Sequence, residues 1–84
     1  MLDLYLTVRS VTPAQKGREA LRRGGVRCGL LRAPSALAQR GCGYALALPA
    51  REQSRALSLL EEANVRVESV WRKLPEGGFR RERP

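Results

Sequence analysis

Histidine is absent from this sequence, and only two cysteines, one tryptophan, one phenylalanine, two tyrosines and one methionine occur in its 84 residues. Each shortage excludes something. Without histidine, a cysteine has no imidazole to deprotonate it, so protease-like Cys–His catalysis is ruled out. Two cysteines with thirteen residues between them, and no C-x-x-C, give neither a disulfide framework nor a tetrahedral zinc set, so no metal is expected. No apolar run approaches the ~20 residues of a bilayer-crossing helix. The opening "MLDLYLTVRS" alternates, carries Asp3 early and has neither a basic leader nor a cleavage-like site, so the expectation is a cytoplasmic protein without membrane association.

What remains is short and basic. One domain of this size buries only about 60% of the surface its unfolded chain exposes, so the core is thin and function belongs on a loop, groove or sheet face. The net charge is +8, and sixteen basic residues less Lys16 and Lys73 leave fourteen arginines. They are scattered through the chain rather than gathered in a stripe, so nucleic acid is not an expected partner. Domains that bind RNA on a sheet stack bases on aromatic residues of the central strands. Here only Tyr5 qualifies, with Tyr44 if a glycine bulge turns it that way.

Four segments read as strands and two as helices. Residues 2–10 alternate Leu2, Leu4, Leu6 and Val8 against Asp3, Tyr5, Thr7 and Arg9, the period of a half-buried strand. A helix near 12–24 follows, with Thr12 as its N-cap, Pro13 at the first helical position, Gln15 completing a capping box, and Gly24–Gly25 as its stop. Residues 26–34 make a second strand with Val26, Cys28 and Leu30 on one face, ended by Pro34. After a loop of about nine residues comes a third strand, 44–49. Ala56, Leu57, Leu60 and Ala63 then give the apolar stripe of a helix near 50–64, closing at Asn64. "VRVESVWRKL" (65–74) is the fourth strand.

The order βαββαβ predicts a ferredoxin-like α+β domain over residues 1–74, a four-stranded antiparallel sheet with both helices on one face. Strands one and three would be central and strands two and four the edges, where Arg27, Arg32, Arg66 and Arg72 would discourage edge-to-edge pairing. Residues 75–84, "PEGGFRRERP", are polar and basic and read as a disordered tail whose removal leaves stability unchanged.

One stretch carries chemistry. In "QRGCGYALALP" Cys42 stands between Gly41 and Gly43. The glycines remove shielding side chains and permit positive-φ backbone that can turn successive N–H groups to one point. With Arg40 nearby, such donors favour a thiolate. Cys28, alternating with Val26 and Leu30, reads as a core thiol, and a redox pair with Cys42 is the other option if the loop folds back.

The Ser10 strand end, the "AQKGREAL" helix, the Gly–Val entry to strand two, "AP" at 33–34 and "GCGYAL" at 41–46 resemble the Se/S carrier protein-like family of small bacterial proteins. "LAQRG" stands where that family's members carry serines before the cysteine. The resemblance implies a non-enzymatic carrier that holds sulfur or selenium on Cys42, supported by Arg40, Gly41 and Gly43. It needs no cofactor beyond the transient atom, and implies a desulfurase-type donor and an acceptor enzyme as partners. The competing readings are a small basic nucleic-acid-binding module and a regulatory or scaffold subunit.

Overall fold

The computed structural model describes residues 1–35, 37 and 43–82. Among these the order is β1 (Leu4–Val8), α1 (Val11–Arg23), β2 (Gly29–Arg32), β3 (Tyr44–Leu48), a single 3-10 turn (Ala50–Glu52), α2 (Gln53–Glu62), β4 (Ser69–Lys73) and β5 (Phe79–Glu82). The five strands form one sheet in the order β2-β3-β1-β4-β5, and every neighbouring pair is antiparallel.

The alternation of β1 decides which face is buried. Leu6 lies opposite Leu46 on one side and Val70 on the other, and Leu4 lies opposite Leu48. These residues, with Val8, form one cluster with Ala14 and Leu21 of α1 and Ala56 and Leu60 of α2, so both helices cover the same face. Leu4, Leu6, Leu46, Leu48 and Leu21 have no exposed surface. Burying a leucine fully is worth roughly 1.5–3 kcal/mol, so this face contributes most of the driving force for folding. Gly17 of α1 permits the close approach: a Cβ there would sit 2.9 Å from Leu46 Cδ1 and 3.1 Å from Leu60 Cδ2.

Both helices end in the same way. Gly25 (φ +80°) follows α1, and Val26 N–H returns to the Leu21 carbonyl at 2.8 Å. Asn64 (φ 60°) follows α2, and Val65 N–H returns to Leu60 at 2.9 Å. These are Schellman closures with a left-handed residue that satisfy the last carbonyls and drop a buried valine back onto the core. Arg55 of α2 donates to the Gly24 carbonyl and ties the two helices together.

Four details differ from the sequence reading. First, α1 starts one residue earlier than Thr12 predicts. Ser10 is the extended N-cap residue, its carbonyl accepts Ala14 N–H at 3.2 Å, and no side chain caps the helix. Pro13 is therefore the third helical residue, still within the first turn, where N–H groups have no helical partner. Second, the strands at 26–34 and 65–74 shorten to β2 and β4, because their first residues complete the helix closures. Third, the sheet has five strands, not four.

Fourth, the segment expected to be a disordered tail contains β5. Leu74 N–H bonds to Gly78 O at 3.1 Å and Gly77 N–H to Leu74 O at 3.0 Å, with Gly77 (φ +103°) and Gly78 (φ +79°) reversing the chain. β5 then pairs with β4 from Val70↔Glu82 to Lys73↔Phe79. β4 is thus interior, β2 and β5 are the edges, and Arg72 does not guard an edge.

Candidate functional site

The loop that carries "GCG" leaves the sheet through a narrow neck. Ala33, just past β2, donates its N–H to Gly43 O at 3.0 Å, one step beyond the Arg32↔Tyr44 pair that ends the β2–β3 ladder. Val8, the last residue of β1, pairs with Tyr44. The neck therefore stands at the end of the sheet where β1 finishes and β3 begins. Arg32 extends over the Tyr44 ring, its guanidinium carbon 5.7 Å from the centroid, and exposed Arg9 follows Val8. Cations thus flank this end of the sheet.

Cys42, Arg40 and Gly41 lie outside the described residues. Gly43 is described, at the neck. A Cβ there would meet Val8 O at 3.5 Å and Ala33 Cβ at 3.9 Å, ordinary contacts. The Gly43 carbonyl closes the neck, and space alone does not require a glycine there.

Cys28 is better defined. It precedes β2 and packs against the helix-side core while remaining only partly buried. Its Sγ lies 3.5 Å from the Gly29 carbonyl. Burial pushes the Cys28 thiol up to about 11, and the Arg18 guanidinium offsets this only in part. At neutral pH the group is a thiol, the poor nucleophile of the two protonation states. It sits at the far end of β2 from the neck, about 16 Å along an extended strand from Ala33. The Cys28–Cys42 pair suggested by the sequence falls outside the described residues on its Cys42 side.

Among the described residues no group of three His, Cys, Asp or Glu side chains is placed to hold a metal ion, and no helix is long and apolar enough to cross a membrane. The carboxylate of Asp3, which interrupts the first apolar alternation, has a structural partner. Its Oδ1 accepts Ala50 N–H at 2.8 Å and satisfies the turn that follows β3.

Sequence reasoning overlooked the aromatic content of the helix-free face. Trp71 falls opposite Tyr5 across the β1–β4 ladder, and Phe79 meets the Tyr5 ring edge-on at a centroid distance of 5.1 Å. The period-two rule applied to "SVWRK" would have placed Trp71 there, because Val70 is a core residue. Phe79 was lost with the tail. Tyr44 belongs to the other face, packed against the helix-side core.

No curated protein and no solved structure matches this chain. The model of one protein family, described as "Putative Se/S carrier protein-like", matches residues 3–72. That span runs from the start of the sheet through the neck and Cys42 to β4, and the chain belongs to the Se/S carrier protein-like family.

Proposed function

We propose that this protein is a non-enzymatic carrier that receives one sulfur or selenium atom on Cys42 and passes it to an acceptor. The observation that carries the reading is the family match across residues 3–72, a span that includes Cys42. Two features support it. The chain has only two cysteines, and Cys28 is held protonated by burial, which leaves Cys42 as the candidate thiolate. The neck at Ala33 and Gly43 ties both ends of the segment that carries Cys42 to the sheet, at edge strand β2 and interior strand β3. We read the architecture as ferredoxin-like with one appended strand, since β2-β3-β1-β4 is the order that two crossed βαβ units give.

The chemistry is thiol exchange at the outer chalcogen. The Cys42 thiolate attacks the terminal sulfur of a donor persulfide, R–S–SH. A Cys42–S–SH bond forms, the donor S–S bond breaks, and R–S⁻ leaves with the electron pair. Delivery is the same exchange with an acceptor thiolate, which regenerates Cys42, so no oxidant or reductant is consumed. Arg40 and the amides at Gly41 and Gly43 stabilise the anion before and after transfer. A desulfurase-type enzyme is the donor, an enzyme with an exposed thiol is the acceptor, and the site of action is the cytoplasm.

The test is intact mass after incubation with glutathione persulfide. The native chain should gain the mass of one sulfur atom. Cys42→Ser should abolish the adduct and Cys28→Ser should keep it. An adduct that survives Cys42→Ser, or its absence from the native chain, rejects the reading.

A further inference from the structure

Helices cover one face of the sheet, and the opposite face has a composition of its own. The side chains that point there are Tyr5 and Thr7 of β1, Leu31 of β2, Ala45 and Ala47 of β3, Ser69, Trp71 and Lys73 of β4, and Phe79 and Arg81 of β5. Three of the chain's four aromatic residues are among them. So are two cations, and none of these strand positions holds an acidic residue, although the chain has eight.

The face is uneven. Towards the loop neck, Thr7, Ala45 and Ser69 are buried. Leu37, from the loop, is also buried without belonging to the helix-side core, as are Ala45 and Ala47. Towards the other end, Tyr5, Trp71 and Phe79 are only half-buried. One row crosses the strands as Arg81, Trp71, Tyr5 and Ala47, each opposite the next in the ladder. Ala47, opposite Tyr5 on the β3 side, is small and buried. Trp71 donates Nε1–H to Ser69 Oγ at 2.7 Å, and the Arg81 guanidinium carbon lies 5.7 Å from its ring centroid.

We infer that this face is a binding platform for single-stranded nucleic acid, with bases stacking on Tyr5, Trp71 and Phe79 and phosphates meeting Arg81 and Lys73. Rings on adjacent strands about 5 Å apart can seat two or three unstacked bases. A flat ring accepts any base, so the platform is not expected to discriminate strongly by sequence. The charge decides against a second copy of the chain as occupant: two such faces would bring Arg81 and Lys73 of each against like charges, in molecules of net charge +8. A polyanion would meet no acidic residue at the described strand positions of this face. The inference is independent of Cys42 and stands or falls separately from the carrier reading.

Trp71 is the only tryptophan, so the protein reports on its own platform. Titrating the full chain with unstructured RNA and DNA oligonucleotides should quench its fluorescence saturably. Anisotropy of labelled oligonucleotides then gives the affinities of variants. Tyr5→Leu, Trp71→Leu and Phe79→Leu should each weaken binding about tenfold, with helical circular dichroism checking the fold. Arg81→Gln, an exposed change, should lower affinity and reduce the salt slope by about 0.7.

Two results overturn the proposal. One is binding indifferent to the ring variants and equally tight for duplex DNA, which would be general attraction to a basic protein. The other is absence of quenching at low salt, including the case in which sedimentation shows self-association lost in Phe79→Leu.

Discussion

At the scale of single residues, the surroundings of Cys28 set its protonation state. Cys28 adjoins the core and gains from staying protonated. Its pKa rises from 9.0 to about 11 on folding, with burial as the larger cause. The sign of the linkage follows. Between these values the folded state holds a proton that the unfolded state has released, so this contribution to stability is full below pH 9.0 and disappears as pH rises towards 11. Urea unfolding from pH 8 to 11 should therefore show a decline that is shallower in Cys28→Ala. Parallel curves for the two proteins would remove Cys28 from the account of alkaline stability. Native-state alkylation near pH 8 should likewise spare Cys28.

At the scale of elements, α1 is held by what it lacks. In an exposed helix, Gly→Ala gains up to about 1 kcal/mol. At Gly17 the new methyl would lie 2.9 Å from Leu46 Cδ1 and 3.1 Å from Leu60 Cδ2, both fully or almost fully buried. Overpacking of that kind costs about 1–3 kcal/mol, so Gly17→Ala should lower stability despite its better helix propensity. Leu46→Val in the same chain should cost less than it does alone, because it opens the space the methyl needs. Additive losses in urea unfolding would mean that the contact is not what penalises the added methyl.

Much at this scale was legible in the residues. Strict alternation in "LYLTV" and "YALAL" placed the two central strands, because each buries only one side chain in two on the helix side. "GG" and "AN" marked the helix ends, because each supplies a left-handed residue. The flanks of β2 and β4 were not legible. Val26 and Val65 look like strand residues but are spent on closing helices, a tertiary role with no signature in alternation. The chemistry proposed for "GCG" was legible in the residues, whereas the place of Gly43 at the neck depends on a hydrogen bond that only the fold supplies.

For the whole molecule, the segment after Leu74 changes both the shape of the sheet and the forecast for its removal. "PEGG" offered a turn signal, but one phenylalanine in "FRRE" is too little apolar text to announce a strand. β5 is made by its partner: β4 supplies the ladder, and Tyr5, two strands away, supplies the ring that Phe79 meets at an interplanar angle of 75°. Truncation after Leu74 removes that edge-to-face pair, worth about 0.5–1.5 kcal/mol beyond area, together with the partial burial of Phe79. It also leaves β4 as an open edge, with Trp71 stripped of the Arg81 guanidinium beside its ring. The truncated chain should lose about 2 kcal/mol in urea unfolding, and Phe79→Ala should reproduce roughly half of that loss. Sedimentation should show the truncated chain associating at concentrations where the full chain does not, because a flat unpaired edge recruits another. A truncated chain as stable as the full one would mean that β5 rests on the sheet without contributing to it. Because residues 79–82 also supply a ring and a cation to the helix-free face, the same truncation should weaken oligonucleotide binding more than Phe79→Leu does alone.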